Sequence, residues 1–420
     1  MCVLLLMNRT VGKWFLCVCL SLLAVRLQAQ TDAFGGWFDG RTLRLDCLRE
    51  GSAERDTVWV ERWRDRGADW HGSRTCLSDP FNNGEYGVEM RDAATGRILY
   101  SRGYNTLFGE YKHTPEGRHA TRRFEETLLL PMPRSTVYIA LQKRDTAQRL
   151  VDATVVTFNP QQLSDSSDRS AVAQTLQYAG APSEKVDVVL VMQGYGGVAG
   201  DKCQSDMRRM CEALFAHDPF TSHRGDFNVY AVVADVGASF GTFGAERYVM
   251  TFDLWRLYDA IGTAPCDYII VVVNDAHYGG GAIYNFYAVT TLHRQAEYVL
   301  PHELGHAVGG LADEYVDEGL SYGAMHRPTS EPLEPNITSL VDFASKWLHL
   351  LPAGTAVPTP EPQVPRTECG PLGVYEGAGY APQGLYRPTP HCMMRDYAPF
   401  CPVCRQRLEE VFRFNTGCVE

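Results

Sequence analysis

Pro301-His302-Glu303-Leu304-Gly305-His306-Ala307-Val308-Gly309-Gly310-Leu311-Ala312-Asp313-Glu314-Tyr315 contains the pattern H-E-x-x-H. On a helix, His302 and His306 are one turn apart, so both rings leave the same side. With Glu303 beside the first, this is the minimum equipment for holding a zinc ion and activating a water on it. By composition the motif arises by accident in on the order of one chain in fifty of this length, so its surroundings must carry the argument. Val299 to Gly310 reads as a helix, with Pro301 in the first turn where its missing N–H is harmless. The Glu303 carboxylate is placed to take a proton from a metal-held water and return it to a leaving amine.

The whole chain narrows the setting. Its 420 residues suffice for two ordinary domains. Apolar content of 45% and charged content of 21% are those of folded soluble protein. Arg9 and Lys13, the apolar run Trp14 to Val25 and Leu27-Gln28-Ala29 read as a secretory signal over residues 1–29. No segment has the ~18 apolar residues of a membrane span. Without the signal the formal charge moves from −11 to −14, because three basic residues and no acidic ones leave with it. An acidic exported chain without a basic patch is a poor partner for nucleic acid. The expected location is the periplasm, the cell surface or the medium.

Ten cysteines remain after the signal, which an oxidising compartment allows to pair. The expected bridges are Cys47–Cys76 and one among Cys392, Cys401 and Cys404. Cys401-Pro402-Val403-Cys404 also has the spacing of a metal or redox pair. No second pair at zinc-ribbon spacing supports the first reading, and no β-α-β pattern supports the second.

From about Thr42 to Phe158 seven short alternating runs are separated by turn residues, the pattern of an antiparallel β-sandwich. They fill an accessory domain over residues 30–160, which shows no catalytic cluster. Gln161 to Ala181, polar and serine-rich, reads as a linker. Residues 182–420 then alternate buried strands with helical spacing, so a mostly parallel α/β sheet is expected. Asp342 to Leu351 has the look of an amphipathic helix. Tyr278 to Tyr287 sets three glycines before an aromatic run. It is either an ordinary edge strand or one, through Gly280, Gly281 and Tyr284, on which an extended substrate lies. Asn336-Ile337-Thr338 matches the glycosylation sequon.

The zinc motif resembles the metzincin pattern H-E-x-x-H-x-x-G, in which Gly309 turns the chain back toward the metal. Metzincins place a histidine six residues after the second one. Here that position is Ala312 and the next is Asp313, so the loop is one residue longer and ends in a carboxylate. Asp313 is the expected third ligand, with Glu314 as the alternative. Metzincins also carry a methionine turn beneath the zinc. Cys392-Met393-Met394-Arg395-Asp396-Tyr397 is its candidate, Met394 ahead of Met393. Tyr397 is a candidate stabiliser of the transition state.

Tyr248 to Asp253, the glycine-aromatic run, His302 to Tyr315, Glu376-Gly377-Ala378-Gly379-Tyr380 and Cys392 to Cys404 together resemble the IgA-peptidase family of bacterial zinc metallopeptidases. The likeness spans roughly residues 185–415, and the β-domain is similar to the one that gut-bacterial members carry. The resemblance implies an α+β multidomain protein, an N-terminal antiparallel β-sandwich followed by a metzincin-like α/β zinc-peptidase domain. It further implies one Zn2+ per chain on His302, His306 and Asp313, Glu303 as base, and a protein or peptide substrate. Gln193 stands where family members often have an acidic residue. Two other readings use the same residues, a zinc amidase on peptidoglycan or glycan-linked amides and an adhesion protein with a structural zinc. A structural site has no use for Glu303.

Overall fold

The computed structural model describes residues 34–163, 173–317 and 329–417. The expected leader and Cys418 lie outside them. Alternating apolar and polar residues give half-buried strands. Seven such strands follow in the first domain: β1 (Phe38–Gly51), β2 (Asp56–Asp69), β3 (Tyr86–Asp92), β4 (Ile98–Tyr104), β5 (Arg122–Pro133), β6 (Val137–Arg144) and β7 (Leu150–Phe158). A short helix, α1 (Leu107–Tyr111), interrupts them after β4. The strands form two antiparallel sheets of order β2-β1-β5 and β4-β3-β6-β7. Leu43 and Leu45 of β1 share one apolar core with Val88 and Met90 of β3 and with Ile139 and Leu141 of β6, as in a sandwich.

No described cysteine is paired, so the expected Cys47–Cys76 bridge and the bridge among Cys392, Cys401 and Cys404 are both absent. Cys47 is an inward position of β1 and fully buried in the core, whereas the Cys76 thiol takes the Thr75 hydroxyl at 3.8 Å.

The other face of β1 is polar and also buried. Arg44 donates to Asp46 at 2.8 Å and to Asp259, in the second half of the chain, at 2.6 Å. A buried guanidinium is tolerated only when its donors are matched. Arg66 likewise donates to the carbonyls of Gly262 and Ala264 at 2.8 and 2.7 Å. The sandwich is therefore seated on the second domain by buried polar contacts.

The sheet of the second domain has six strands in the order β12-β13-β11-β9-β10-β8. They are β8 (Gln174–Gln177), β9 (Val186–Gln193), β10 (Phe227–Val233), β11 (Tyr268–Val273), β12 (Gly280–Ile283) and β13 (Tyr287–Thr291). Neighbours from β13 to β10 run parallel, and β12 and β8 close the edges antiparallel. All eight residues of β9 are buried, which is the continuous apolar run of a sheet covered on both faces. Val188, Leu190 and Met192 face α2 (Asp201–Leu214), α4 (Ala296–Gly309) and α6 (Pro402–Asn415). Val189 and Val191 face α3 (Leu254–Ile261) and the core of the sandwich. The sandwich thus occupies the layer that covers one face of this six-stranded sheet. Among the described residues, no helix is long and apolar enough to cross a membrane.

Two segments differ from their sequence reading. Gln174–Gln177, within the expected linker, is the edge strand β8 paired with β10. Its polar residues carry no alternation by which to recognise it. Asp342 to Leu351 is not one helix but two single 3₁₀ turns, Phe343–Ser345 and Leu348–Leu350. Lys346 between them leaves helical geometry, and its half-buried ammonium donates to the carbonyls of Pro332 and Glu334, both at 2.6 Å. Anchoring that cation outweighs the amphipathic pattern.

Candidate metal centre

Helix α4 carries the H-E-x-x-H pattern and is apolar and buried nearly all round, as a helix enclosed by other elements is. It starts three residues earlier than Val299, so Pro301 lies in its interior rather than its first turn. The carbonyl that Pro301 cannot bond belongs to Glu297, and its negative end lies toward the His217 ring, favouring the proton there. The helix also runs through Gly309. Gly310, with φ 59° and ψ 35°, makes the left-handed turn. Its N–H bonds the His306 carbonyl at 3.0 Å and the Leu311 N–H bonds that of Gly305 at 3.1 Å, closing the helix.

The turn delivers Leu311 to Asp313 against the two imidazoles. His302 Nδ1 lies 3.0 Å from the Met393 carbonyl, and His306 Nδ1 lies 2.6 Å from that of Leu311. A carbonyl only accepts, so each Nδ1 carries the hydrogen and each Nε2 presents its lone pair. The two Nε2 atoms are 3.2 Å apart, and Asp313 Oδ1 is 3.2 and 3.4 Å from them. Asp313 is buried, and Oδ1 accepts no hydrogen bond of good geometry. Three electron pairs face one point, which is the donor set of a divalent cation held by two imidazoles and a carboxylate. Without a cation a proton takes that place. Burial pulls His306 down, but the Asp313 charge outweighs it and leaves the imidazole at about 9. Burial works against the Asp313 charge too, and His306 and His302 hold it well below the ordinary carboxylate range.

Glu314 is turned away from this point, toward Cys392, Cys401 and Cys404. Asp313 is the carboxylate brought to the imidazoles, and three partners keep it there. Tyr380 donates its hydroxyl to Asp313 Oδ2, which leaves Oδ1 for the metal. Gly379 N–H bonds the Asp313 carbonyl at 2.9 Å, from the turn of a hairpin made by β14 (Tyr375–Ala378) and β15 (Ala381–Arg387). Asn336 accepts from Ala312 N–H at 2.8 Å and donates back to its carbonyl at 2.9 Å. Asn336 is fully buried by this work, so its sequon is not a surface acceptor in the folded chain. We expect Tyr380→Phe to weaken metal binding about 10- to 100-fold, as loss of a ligand's hydrogen-bond partner does. A competitive chelator titration reads the change, and unaltered affinity would remove Tyr380 from the site.

Glu303 is buried beside the ligands, and burial pushes its carboxyl above the ordinary glutamate value despite the two histidines. A Cβ on Gly280 would stand 2.5 Å from Glu303 Oε1. The bare backbone of β12 is what gives this carboxylate its room. Gly280 is also paired on its outer side, to Arg247 carbonyl and Val249 N–H, both at 3.1 Å. An extended substrate could pair with this edge only beyond Gly280. Gly281 packs against Tyr248 and Met250, and Tyr284 is buried beneath Gly310.

Met393 and Met394 are both fully buried at the start of α5 (Met393–Asp396). Met394 Sδ lies against Gly305, between the two ligands, where any side chain would collide with it. Met393 instead gives its carbonyl to His302. Tyr397, left-handed at φ 62°, shares a hydrogen bond with the Tyr278 hydroxyl and stands edge-on to His302 at 5.9 Å between ring centroids.

His302, Glu303, His306, Asp313, Tyr380 and Tyr397 open on a cleft of about 1220 Å³ to which both domains contribute. The sandwich supplies Glu110 and Lys112, the second domain Arg247 and Tyr248. Glu110 takes the Tyr248 hydroxyl at 2.5 Å, and burial pushes its carboxyl up to about 7. Sequence reasoning gave this domain no part in the site. The only signal was the clustering of Glu110, Lys112 and His113 on one short helix and its exit. Gln193 is buried beside the strand ends. It donates to the Ala238 carbonyl at 2.8 Å and accepts from Val236 and Ala238 N–H at 3.1 and 2.9 Å, which only an amide can do at once.

A search of curated proteins finds no match. Family models do match: the N-terminal domain of peptidase M64 over residues 33–154, and IgA peptidase M64 over residues 174–235, 233–369 and 366–412. The second spans more than half of the sequence and includes both imidazoles, Glu303, Asp313 and the methionine segment, so the chain belongs to the IgA peptidase M64 family of metallopeptidases.

Proposed function

We propose that this protein is a zinc-dependent endopeptidase that cleaves proteins outside the cytoplasm. The observation that carries the reading is the convergence of His302 Nε2, His306 Nε2 and Asp313 Oδ1 beside the buried Glu303, on the floor of an open cleft. A zinc ion on these atoms supplies Lewis acidity, which makes water nucleophilic near neutral pH and polarises a carbonyl. The chain's own residues do the rest. Glu303 Oε holds the proton that the attacking water gives up and hands it to the amine nitrogen of the broken bond. Gly280 keeps that carboxylate free to move, and Met394 gives the ligands an apolar floor. The Tyr397 hydroxyl, tied to Tyr278, donates to the carbonyl oxygen as charge builds on it.

The size and openness of the cleft favour a polypeptide over the small, closed pocket that an amidase would need. The signal-like pattern of residues 1–29 supports the export in this reading. Tyr397→Phe should lower kcat about 10- to 100-fold with little change in KM or in bound metal. Steady-state cleavage of a quenched fluorescent peptide measures it, and an unchanged kcat would take Tyr397 out of the mechanism.

A further inference from the structure

Behind the catalytic ligands lies a second group of chemically apt side chains, Glu314, Cys392, Cys401 and Cys404. All four are buried, and their ligand atoms lie within 4.8 Å of one another. Cys392 Sγ and Cys404 Sγ are 3.7 Å apart. That is far from the ~2.05 Å of a disulfide, and it equals the edge of a tetrahedron with metal–sulphur distances of ~2.3 Å, about 3.8 Å. Cys404 Sγ is 3.2 Å from Glu314 Oε1, close to the mixed sulphur–oxygen edge of about 3.5 Å. Glu314 Oε1 also accepts from Asn336 at 2.9 Å, but Oε2 is buried without any hydrogen-bond partner. A carboxylate oxygen so placed is costly unless something positive meets it. Cys401 caps α6, and Cys404 N–H points at its sulphur at 3.5 Å, an arrangement that favours the thiolate. Cys369 stands outside the group, with its thiol on the Pro399 carbonyl at 3.1 Å.

We propose that Cys392, Cys401, Cys404 and Glu314 bind a second zinc ion, a structural one, in a closed Cys₃Glu site. Three sulphurs and one oxygen leave no open position for water, the mark of a structural rather than a catalytic zinc. Its use follows from what the four residues adjoin. Glu314 is the next residue after the ligand Asp313, and its N–H bonds the Met394 carbonyl at 2.8 Å. Cys392 precedes Met393, whose carbonyl fixes the His302 ring. Cys401 and Cys404 open the helix α6. One ion therefore ties the Asp313 loop, the methionine segment and α6 into a single support beneath the catalytic metal. Binding releases the protons of those thiols and carboxyl that were not already ionised.

The proposal does not rest on the peptidase reading, and the test separates them. The full chain and its His302→Ala/His306→Ala variant are purified without added metal and analysed for zinc by mass spectrometry. We expect two equivalents in the first and one in the second, the remaining zinc giving an X-ray absorption shell dominated by sulphur at ~2.3 Å. Equal and non-zero zinc in the two proteins, with the sulphur shell present, would count against the catalytic site and not this one. The native chain is also alkylated before and after chelation, so that the result does not depend on any variant folding. Cys392, Cys401 and Cys404 should react only after zinc is removed. A disulfide between any two of them, thiols that alkylate freely in the native chain, or a zinc-free double variant with native circular dichroism would overturn the proposal.

Discussion

Glu303→Gln should leave the metal in place and cut peptide-bond cleavage about a thousandfold. The substitution keeps the volume of the side chain and the room that Gly280 provides for it, but the amide cannot accept a proton in the cleft. Losing a positioned acid–base group costs between about a hundredfold and ten-thousandfold. The effect should fall on kcat, because Glu303 takes its proton in the transition state and does not hold the substrate. The pH profile gives a second readout. Burial raises the Glu303 carboxyl, and a base works only when ionised. Activity should therefore be present where the carboxylate is ionised and fall away as pH drops through the pKa it has beside the bound metal. In Glu303→Gln the residual rate should lose this acid limb. Zinc content by elemental analysis and steady-state kinetics across pH check both halves, and a variant that keeps wild-type kcat would sink the mechanism.

Asp313→Ala should abolish activity by a different route, through loss of the metal. Two imidazoles remain, yet their Nε2 atoms are 3.2 Å apart with no negative charge to offset the cation. Glu314 cannot step in, because it is turned into the cysteine group and its N–H is held by Met394. Zinc bound after dialysis should fall by one equivalent, and cleavage should reach background. Removing the carboxylate also removes the charge that raises His306. In the metal-free protein its imidazole should titrate below its wild-type value of about 9, a shift that NMR of the ring protons would follow. Full metal occupancy in Asp313→Ala would show that another group completes the site.

Much of this was legible in the residues. The seven strands of the sandwich carry period-two alternation and clear turn chemistry, and β9 to β11 are mostly apolar runs, broken only by Asp187, Gln193 and Asn228, so local pattern and tertiary burial agree. His302, Glu303 and His306 share a helix face because the helical repeat alone puts them there. The less legible parts depend on contacts distant in sequence. Tyr380 and Asn336 meet the Ala312–Asp313 loop from 67 and 24 residues away, and Asn336 was hidden behind a sequon. The glycines of β12 stand out in the sequence, but that Gly280 makes room for Glu303 shows only in the fold. Glu110 belongs to the other domain altogether. Even cysteine count and export suggested bridges. Three of the cysteines instead surround one point with a carboxylate, an arrangement that spacing of Cys401 and Cys404 alone could not reveal.

In the proposed function the cleft cuts polypeptides by means of a metal held by His302, His306 and Asp313. The most direct test is to incubate a denatured mixed proteome with the zinc-loaded protein and with Glu303→Gln, and to identify new peptide N-termini by mass spectrometry. New termini at internal peptide bonds are expected with the first protein and almost none with the second. No new termini with either protein, or the same termini with both, would contradict it.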